Sequence, residues 1–351
     1  MEYQRDASRR IRIGVVGVGS HCYRNILPTL TFLPVELVAI ADPDTAKAEW
    51  TARQYGAVSY ASATEMYAHE KLEAVLLCVS PQAHPALAQQ AFAAGLHVWM
   101  EKPAALRTSE VAETLAARGN RVCVVGYKKV FMPSVLKARE LLAARPDQPL
   151  LSILGVYPIS VPENGRDVLE KRLPSDWLAN GCHPLSVLLS VAGPAVSVTV
   201  HRGPGGAGGA CVVAHENGVV SNLHLAQGGA KFQPFERYHF YAGDRAIEIE
   251  NARRLSYQRG IKFQYATDTS FAPPGTEGGA IVWEAQDGLN TLDNKAVFTQ
   301  GVWGELDHFC SAILAGKQAT EATLEFALNL TRVYEGALLS NGNTVRIGSG
   351  E

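Results

Sequence analysis

The chain is predicted to be an α/β protein, with a doubly wound parallel sheet in its first third and a second domain behind it. Three observations predict this. Short apolar runs alternate with helical stretches of about 10–15 residues over positions 11–125. A glycine turn, Gly17-Val18-Gly19, follows the first run directly. A length of 351 residues also exceeds what one compact core organises, so two domains are expected, divided as 1–128 and 129–351.

Each element of the first third has a local cause. Ile11–Val16 is a continuous apolar run, the mark of a strand buried on both faces. The helical stretch 21–32 contains Pro28, which should kink or shorten it. A second strand is read at 36–41, followed by a helix that Asp44 opens and Gly56 ends. Ser62 and Glu65 form a capping box for the next helix. A third apolar run spans 74–79, an alanine-rich helix spans 85–94 and stops at Gly95, and His97–Met100 is a further strand. Thr108 or Ser109 is expected to cap a helix that Gly119 stops, before a last strand at 121–125. Sheets of this kind bind ligands outside the carboxyl ends of their strands.

Composition narrows the function. Hydrophobic residues make up 47% and charged residues 19%. A formal net charge of −2 gives no broad pull toward nucleic acid or an anionic membrane. No run of about 18 apolar residues marks a membrane span, and the polar N-terminus shows no signal-peptide core, so a cytoplasmic protein is expected. The six cysteines, Cys22, Cys78, Cys123, Cys182, Cys211 and Cys310, form no CxxC pair, so reduced thiols and no metal site are expected.

The turn at Gly17 and Gly19, between a strand and a helix, suits a dinucleotide. Gly17 makes the turn tight, Gly19 lets the backbone approach a pyrophosphate, and the helix N-terminus at Ser20 and His21 offers free N–H groups. Cys22 replaces the third glycine of the usual pattern with a small side chain. Asp42 ends the second strand, where a carboxylate accepts from both adenosine ribose hydroxyls and repels a 2′-phosphate. This favours NAD over NADP. The alternative is that Asp42-Pro43-Asp44 only turns the chain and caps a helix.

Glu101-Lys102-Pro103 follows the fourth long strand of this series. Pro103 ends the strand and restricts Lys102 to extended backbone, with a cis bond allowed. A lysine leaving a strand here can bond a substrate hydroxyl beside a nicotinamide, or it is a solvated turn residue.

At these residues the chain resembles the Gfo/Idh/MocA oxidoreductases. GVVGVG at 14–19, VSPQAH at 79–84, EKP at 101–103, GYKKVFMP at 126–133, GCHPLSVLL at 181–189 and WGELDHFCSAILAG at 303–316 carry the resemblance, in order. It implies a Rossmann domain followed by an α/β domain on a large open, mostly antiparallel sheet. It implies hydride transfer between a nicotinamide and an oxygen-bearing carbon of a sugar, polyol or related small molecule, in a homodimer or homotetramer. Lys102 and His183 would be the catalytic pair. Gly17, Gly19 and Asp42 would hold the dinucleotide, with Ser80, Pro81, His84 and Glu101 along its nicotinamide half. Tyr127, Lys128 and Tyr157 would contact substrate together with His183.

Two departures from that pattern stand out. Ala179 occupies the position of the family aspartate, four residues before the histidine. Asp176 either compensates or caps its helix. Lys128 replaces the usual asparagine, where it binds an acidic substrate, supplies a proton or is solvated. A non-catalytic dinucleotide-binding regulator, which Ala179 suggests, and an NAD-dependent glycosidase are the competing readings.

In the second domain, strands are read at 151–158, 196–200, 211–214, 219–225, 238–242 and 246–250. The glycine-rich 203–209 reads as a hairpin loop. His183 opens an apolar helix at 185–191, while His201, His215, His224 and His239 read as sheet-surface or satisfied residues. The stretch 271–301 reads as irregular, either a lid or subunit contact or a disordered segment.

Overall fold

A computed structural model describes residues 4–228, 236–261, 263–269, 279–286, 288, 290–293 and 295–348. The first domain is a parallel sheet built from β1 (Ile11–Val16), β2 (Val35–Ala41), β3 (Val58–Tyr60), β4 (Ala74–Leu77), β5 (His97–Met100) and β6 (Cys123–Val125), in the order β3-β2-β1-β4-β5-β6. All four residues of β4 are buried, because helices cover both faces of a parallel sheet. The connections are α2 (Thr45–Tyr55), α3 (Ala63–His69), α4 (His84–Ala93) and α5 (Thr108–Ala117). This is the Rossmann arrangement expected from the sequence. Its strand order reverses between β1 and β4, which opens a crevice there.

Pro28 has the predicted effect. The first crossover is a π turn (Cys22–Ile26), one turn of α1 (Leu27–Thr29) and a 3-10 turn (Leu30–Phe32) instead of one regular helix. Asp44 Oδ1 caps α2 by accepting from the Lys47 N–H at 3.1 Å, and Gly56 closes it in the left-handed region. The cap of α5 differs from the expectation. Arg107 stands at the cap position, and the Glu110 carboxylate accepts the N–H groups of Leu106 and Arg107 at 3.1 and 3.0 Å. A carboxylate one turn inside the helix does the work assigned to the Thr108 or Ser109 hydroxyl.

The second domain is a nine-stranded sheet. Its strands are β7 (Leu150–Tyr157), β8 (Ala195–Arg202), β9 (Gly209–His215), β10 (Val220–Leu225), β11 (Arg237–Ala242), β12 (Arg245–Glu250), β13 (Arg254–Arg259), β14 (Ala280–Glu284) and β15 (Val345–Arg346). They lie in the order β14-β13-β12-β11-β7-β10-β9-β8-β15, antiparallel except where β7 meets β10. The glycine-rich segment joins β8 to β9 as a hairpin, as expected. Burial alternates along β10, β11 and β12, so one face is packed and the other open. Helices α6 (Pro133–Ala143) and α9 (Cys182–Ala192) cover the packed face, and α7 (Gly165–Glu170) and α8 (Asp176–Asn180) precede α9. Leu151, Val196, Val220 and Tyr241 stand exposed on this sheet.

The stretch 271–301 is not irregular throughout. Residues 270–278, 287, 289 and 294 lie outside the described residues, but β14 and a short α10 (Ala296–Thr299) fall within it. β14 is an edge strand with every side chain at least partly exposed, so no alternation marks it in the sequence.

The chain then returns to the first domain. α11 (Val302–Ala315) packs on β5, β6 and the 3-10 turn Lys128–Phe131, and α12 (Leu324–Leu339) packs on α5. Ion pairs Arg107–Glu335 (2.9 Å), Arg118–Glu325 (2.8 Å) and Arg139–Glu321 (2.7 Å) fasten this return. Among the described residues, no helix is long and apolar enough to cross a membrane.

Candidate active site

The loops after β1, β4, β5 and β6 border one cavity of about 450 Å³, which α11 and the loop before α9 complete. At its inner end, the Gly17 N–H donates to the Ala41 carbonyl at 2.8 Å. Gly17 has φ +86°, and a Cβ there would lie 2.5 Å from the Cys78 carbonyl oxygen, so the turn itself demands glycine. Gly19 is different: a Cβ would meet nothing within 4 Å. That open space beside a helix N-terminus fits the pyrophosphate of a dinucleotide. Ser20 and His21 are exposed at the same edge. Cys22 is buried against Cys78, and their thiols are hydrogen-bonded, which together with burial pushes the Cys78 thiol well up.

Asp42 is buried at the end of β2. Its Oδ2 accepts the Val18 N–H and its Oδ1 accepts the Asp44 N–H, both at 2.9 Å. The carboxylate therefore braces the glycine turn and shapes the Asp-Pro-Asp corner, and each oxygen keeps a second lone pair. After β4, Ser80 is exposed and Pro81 half-buried, while Cys78 and Val79 form the cavity wall.

His84 departs from its expected place along the dinucleotide. It is 0% exposed, and its Nδ1 lies 2.9 Å from the Pro103 carbonyl. As the first residue of α4 it holds the Glu-Lys-Pro turn from behind. Tyr127 is likewise 0% exposed and packs its ring on Phe326, which places it in the core beside the cavity wall residue Gly126.

The Lys102–Pro103 bond is cis. Lys102 Nζ donates to the carbonyl of Ala179 at 2.8 Å, at the position where the family pattern has its aspartate. A main-chain oxygen thus accepts the lysine's hydrogen bond where the family pattern has a carboxylate. Asp176 does neither job considered for it. Ser175 Oγ caps α8 through the Leu178 N–H at 3.1 Å, and Asp176 accepts from the Asn180 amide at 2.6 Å. Glu101 Oε1 sits 2.9 Å from His21 Nε2, bridging the ends of β5 and β1.

His183 is the second residue of α9, at 8% exposure, and its Nδ1 has no partner among the described residues. Burial, and then the charges of Lys102, Lys129, Lys128 and His21, push its pKa well below the ordinary histidine value. The imidazole is therefore neutral at neutral pH and able to accept a proton. His183 and Lys128 also border a second cavity of about 370 Å³, with Lys129, Tyr157, Glu236, Asn251 and Gln300. Lys129 is buried there, ion-paired with Glu236, and its ammonium lies 5.1 Å from the Tyr157 ring centre.

The sequence reading missed Lys129, Glu236, Gln300 and Glu305. Glu305 is 1% exposed on α11 and borders the first cavity, and its Oε2 has no partner. An acid at 305, ahead of Asp307 in the otherwise largely apolar 302–315, was the available signal. Burial, and then the Glu101 charge, hold its carboxyl protonated far above the usual carboxylate range. Because the folded value is raised, the stability it gives is complete below the unfolded value and is lost as pH rises toward the folded one. Glu305→Gln is accordingly expected to raise the melting temperature by about 2–4 °C near pH 8 and hardly at all near pH 4. Thermal melts at both pH values check this, and an equal change at both would refute it.

Residues 11–127 match the family model described as "Oxidoreductase family, NAD-binding Rossmann fold". An uncharacterized oxidoreductase of Synechocystis is 32% identical over 138 residues, which cover 38% of this chain and 37% of that protein. The chain thus spans only about a third of the first curated relatives it matches, at 37% and 33% of their lengths. A longer match, 23% identical over 82% of this chain and 84% of its relative, is to the dTDP-3,4-didehydro-2,6-dideoxy-alpha-D-glucose 3-reductase of Streptomyces antibioticus. Among solved structures, an Agrobacterium radiobacter oxidoreductase in complex with NAD+, L-tartaric acid and magnesium superposes with a TM-score of 0.78 at 17% identity, covering 97% of this chain and 99% of that one. Residues 11–127 thus match the NAD-binding Rossmann domain of the Gfo/Idh/MocA oxidoreductases, the family that the sequence resembles.

Proposed function

We propose that the chain is an NAD-dependent dehydrogenase or reductase acting on the CH–OH or keto carbon of a sugar, polyol or related small molecule. The observation that carries this reading is the sharing of one cavity by Gly19, Lys102 and His183. A nicotinamide bound there would supply the hydride acceptor or donor. Gly17 and Gly19 would admit the pyrophosphate, and Asp42 would take the adenosine ribose and disfavour a 2′-phosphate.

The proton chemistry follows from the protein groups. Lys102, braced by the Ala179 carbonyl, points an ammonium donor at the substrate oxygen and stabilises developing negative charge there. His183, kept neutral by burial and by the surrounding lysines, takes the hydroxyl proton during oxidation and returns it during reduction. The two groups divide the labour: one holds charge, the other moves a proton. The six free cysteines suit a reducing cytoplasm. The open face of the nine-stranded sheet, with Leu151, Val196, Val220 and Tyr241 exposed, suits pairing with a second copy of the chain.

The test is incubation of the full chain with NAD and panels of polyols, aldoses and hydroxy acids, or with reduced NAD and the corresponding ketones. Dinucleotide binding is read by calorimetry and turnover by the absorbance of the reduced nicotinamide. Binding with turnover of at least one compound is expected. A chain that binds no dinucleotide refutes the reading, and a chain that binds it without turnover points to a regulator.

A further inference from the structure

Three lysines and three glutamates border the two cavities, but two of the lysines are hydrogen-bonded to neutral groups. Lys102, Lys128 and Lys129 border them. Lys129 is matched by Glu236, and Glu101 is engaged by His21. Glu305 lies buried on α11, where burial disfavours its negative charge and pushes its carboxyl pKa well up. Lys102 rests on a neutral carbonyl. Lys128 rests on the neutral Gln300 side chain, whose Oε1 accepts from its Nζ at 2.9 Å.

Lys128 borders both cavities, as does His183. A half-buried ammonium with a neutral partner has lost hydration without gaining a counter-charge. Burial and the neighbouring Lys129 push its pKa down, the direction that an added anion reverses. An uncharged sugar leaves that imbalance in place, whereas a carboxylate removes it. Asn251 and Gln300 line the outer cavity and add amide groups to the same spot.

We propose that the substrate is a hydroxy acid or keto acid, its carboxylate seated on Lys128 in the outer cavity and its reacting carbon turned toward Lys102 and Gly19. The inference rests on the dehydrogenase reading and names the substrate class of that site. It also accounts for a lysine at position 128, where the resemblance leads one to expect asparagine.

The experiment compares matched probes on the full chain, both loaded with reduced NAD and dinucleotide-free. L-tartrate is set against threitol, D-gluconate against glucitol, and quinate against myo-inositol, with binding read by calorimetry. At least one carboxylate is expected to bind about tenfold more tightly than its neutral partner. Lys128→Gln should erase that preference and Lys128→Arg keep it, with circular dichroism and melting verifying that both variants fold. Neutral probes binding as well as their acids, no acid binding at all, or a preference that survives Lys128→Gln would each overturn the proposal. Failure of the chain to take up reduced NAD would instead sink the dehydrogenase reading, and the dinucleotide-free arm would still decide the anion site.

Discussion

Lys102→Met is expected to lower turnover by about 10²- to 10⁴-fold while leaving NAD affinity within about threefold of the unaltered chain. Methionine keeps most of the stem's length and apolar packing but removes the donor. Two consequences follow from the geometry. The Ala179 carbonyl loses its 2.8 Å partner, a modest cost at a site open to water. Under the proposed function the substrate oxygen loses the ammonium that the Ala179 carbonyl braces, a large cost because charge develops there during hydride transfer. Steady-state kinetics on a compound the unaltered chain turns over, together with calorimetry of NAD binding, separate these effects. A fall in kcat with KM nearly constant supports a role in the transition state, whereas a rise in KM alone would demote Lys102 to a binding residue. Burial, the first cause of the lowered His183 pKa, persists in the variant, as do the Lys129 and Lys128 charges. A surviving slow reaction should therefore still depend on the imidazole.

How much of this was legible in the sequence depends on which physical signal each part leaves. The Rossmann half was readable because strands buried on both faces are written as uninterrupted apolar runs. Ile11–Val16 and His97–Met100 are found with their boundaries intact. The strands of the packed sheet were readable where one face alternates, as in β10 and β12. β13 and β14 escaped notice because the edge of an open sheet buries little, so Arg254–Arg259 and Ala280–Glu284 show no clean period.

The site divides along similar lines. Backbone demands leave a residue-level trace, so Gly17 and the Glu-Lys-Pro turn could be placed. Orientation leaves none. His84 and Tyr127 sit in the segments that line the crevice, yet both side chains turn inward, because the first residue of α4 and the residue after Gly126 face the core. Glu305 was hidden for the opposite reason. It reaches the cavity from a helix far along the chain from Lys102 and Lys128, and the packing of α11 on β5, β6 and the 128–131 turn brings it there. Asp42 shows a third case: turn-maker and ribose acid looked like alternatives, but a carboxylate has enough lone pairs for both.

The second large effect concerns position 19. Gly19→Val is expected to weaken NAD binding by about a hundredfold or more, on the order of 3 kcal/mol, while leaving the melting temperature of the dinucleotide-free chain nearly unchanged. The contrast with Gly17 makes this informative. At Gly17 the fold itself forbids a side chain: φ is +86° and the Cys78 carbonyl oxygen stands 2.5 Å from any Cβ. Valine at 17 would therefore distort the turn whether or not a ligand is used, and lost binding there would say little about what the turn is for. At Gly19 no described residue beyond the chain neighbours lies within 4 Å of the would-be Cβ, so the described fold alone gives no reason for glycine. The remaining reason is an outside group that must come close to the backbone, and a pyrophosphate on the helix N-terminus is such a group. Calorimetry with NAD and a melt of the empty protein together decide the matter. Weakened binding with an unchanged melt supports the dinucleotide cradle. Unchanged binding would mean that the ligand lies elsewhere, and the roles given to Asp42, Lys102 and His183 would then fall with it.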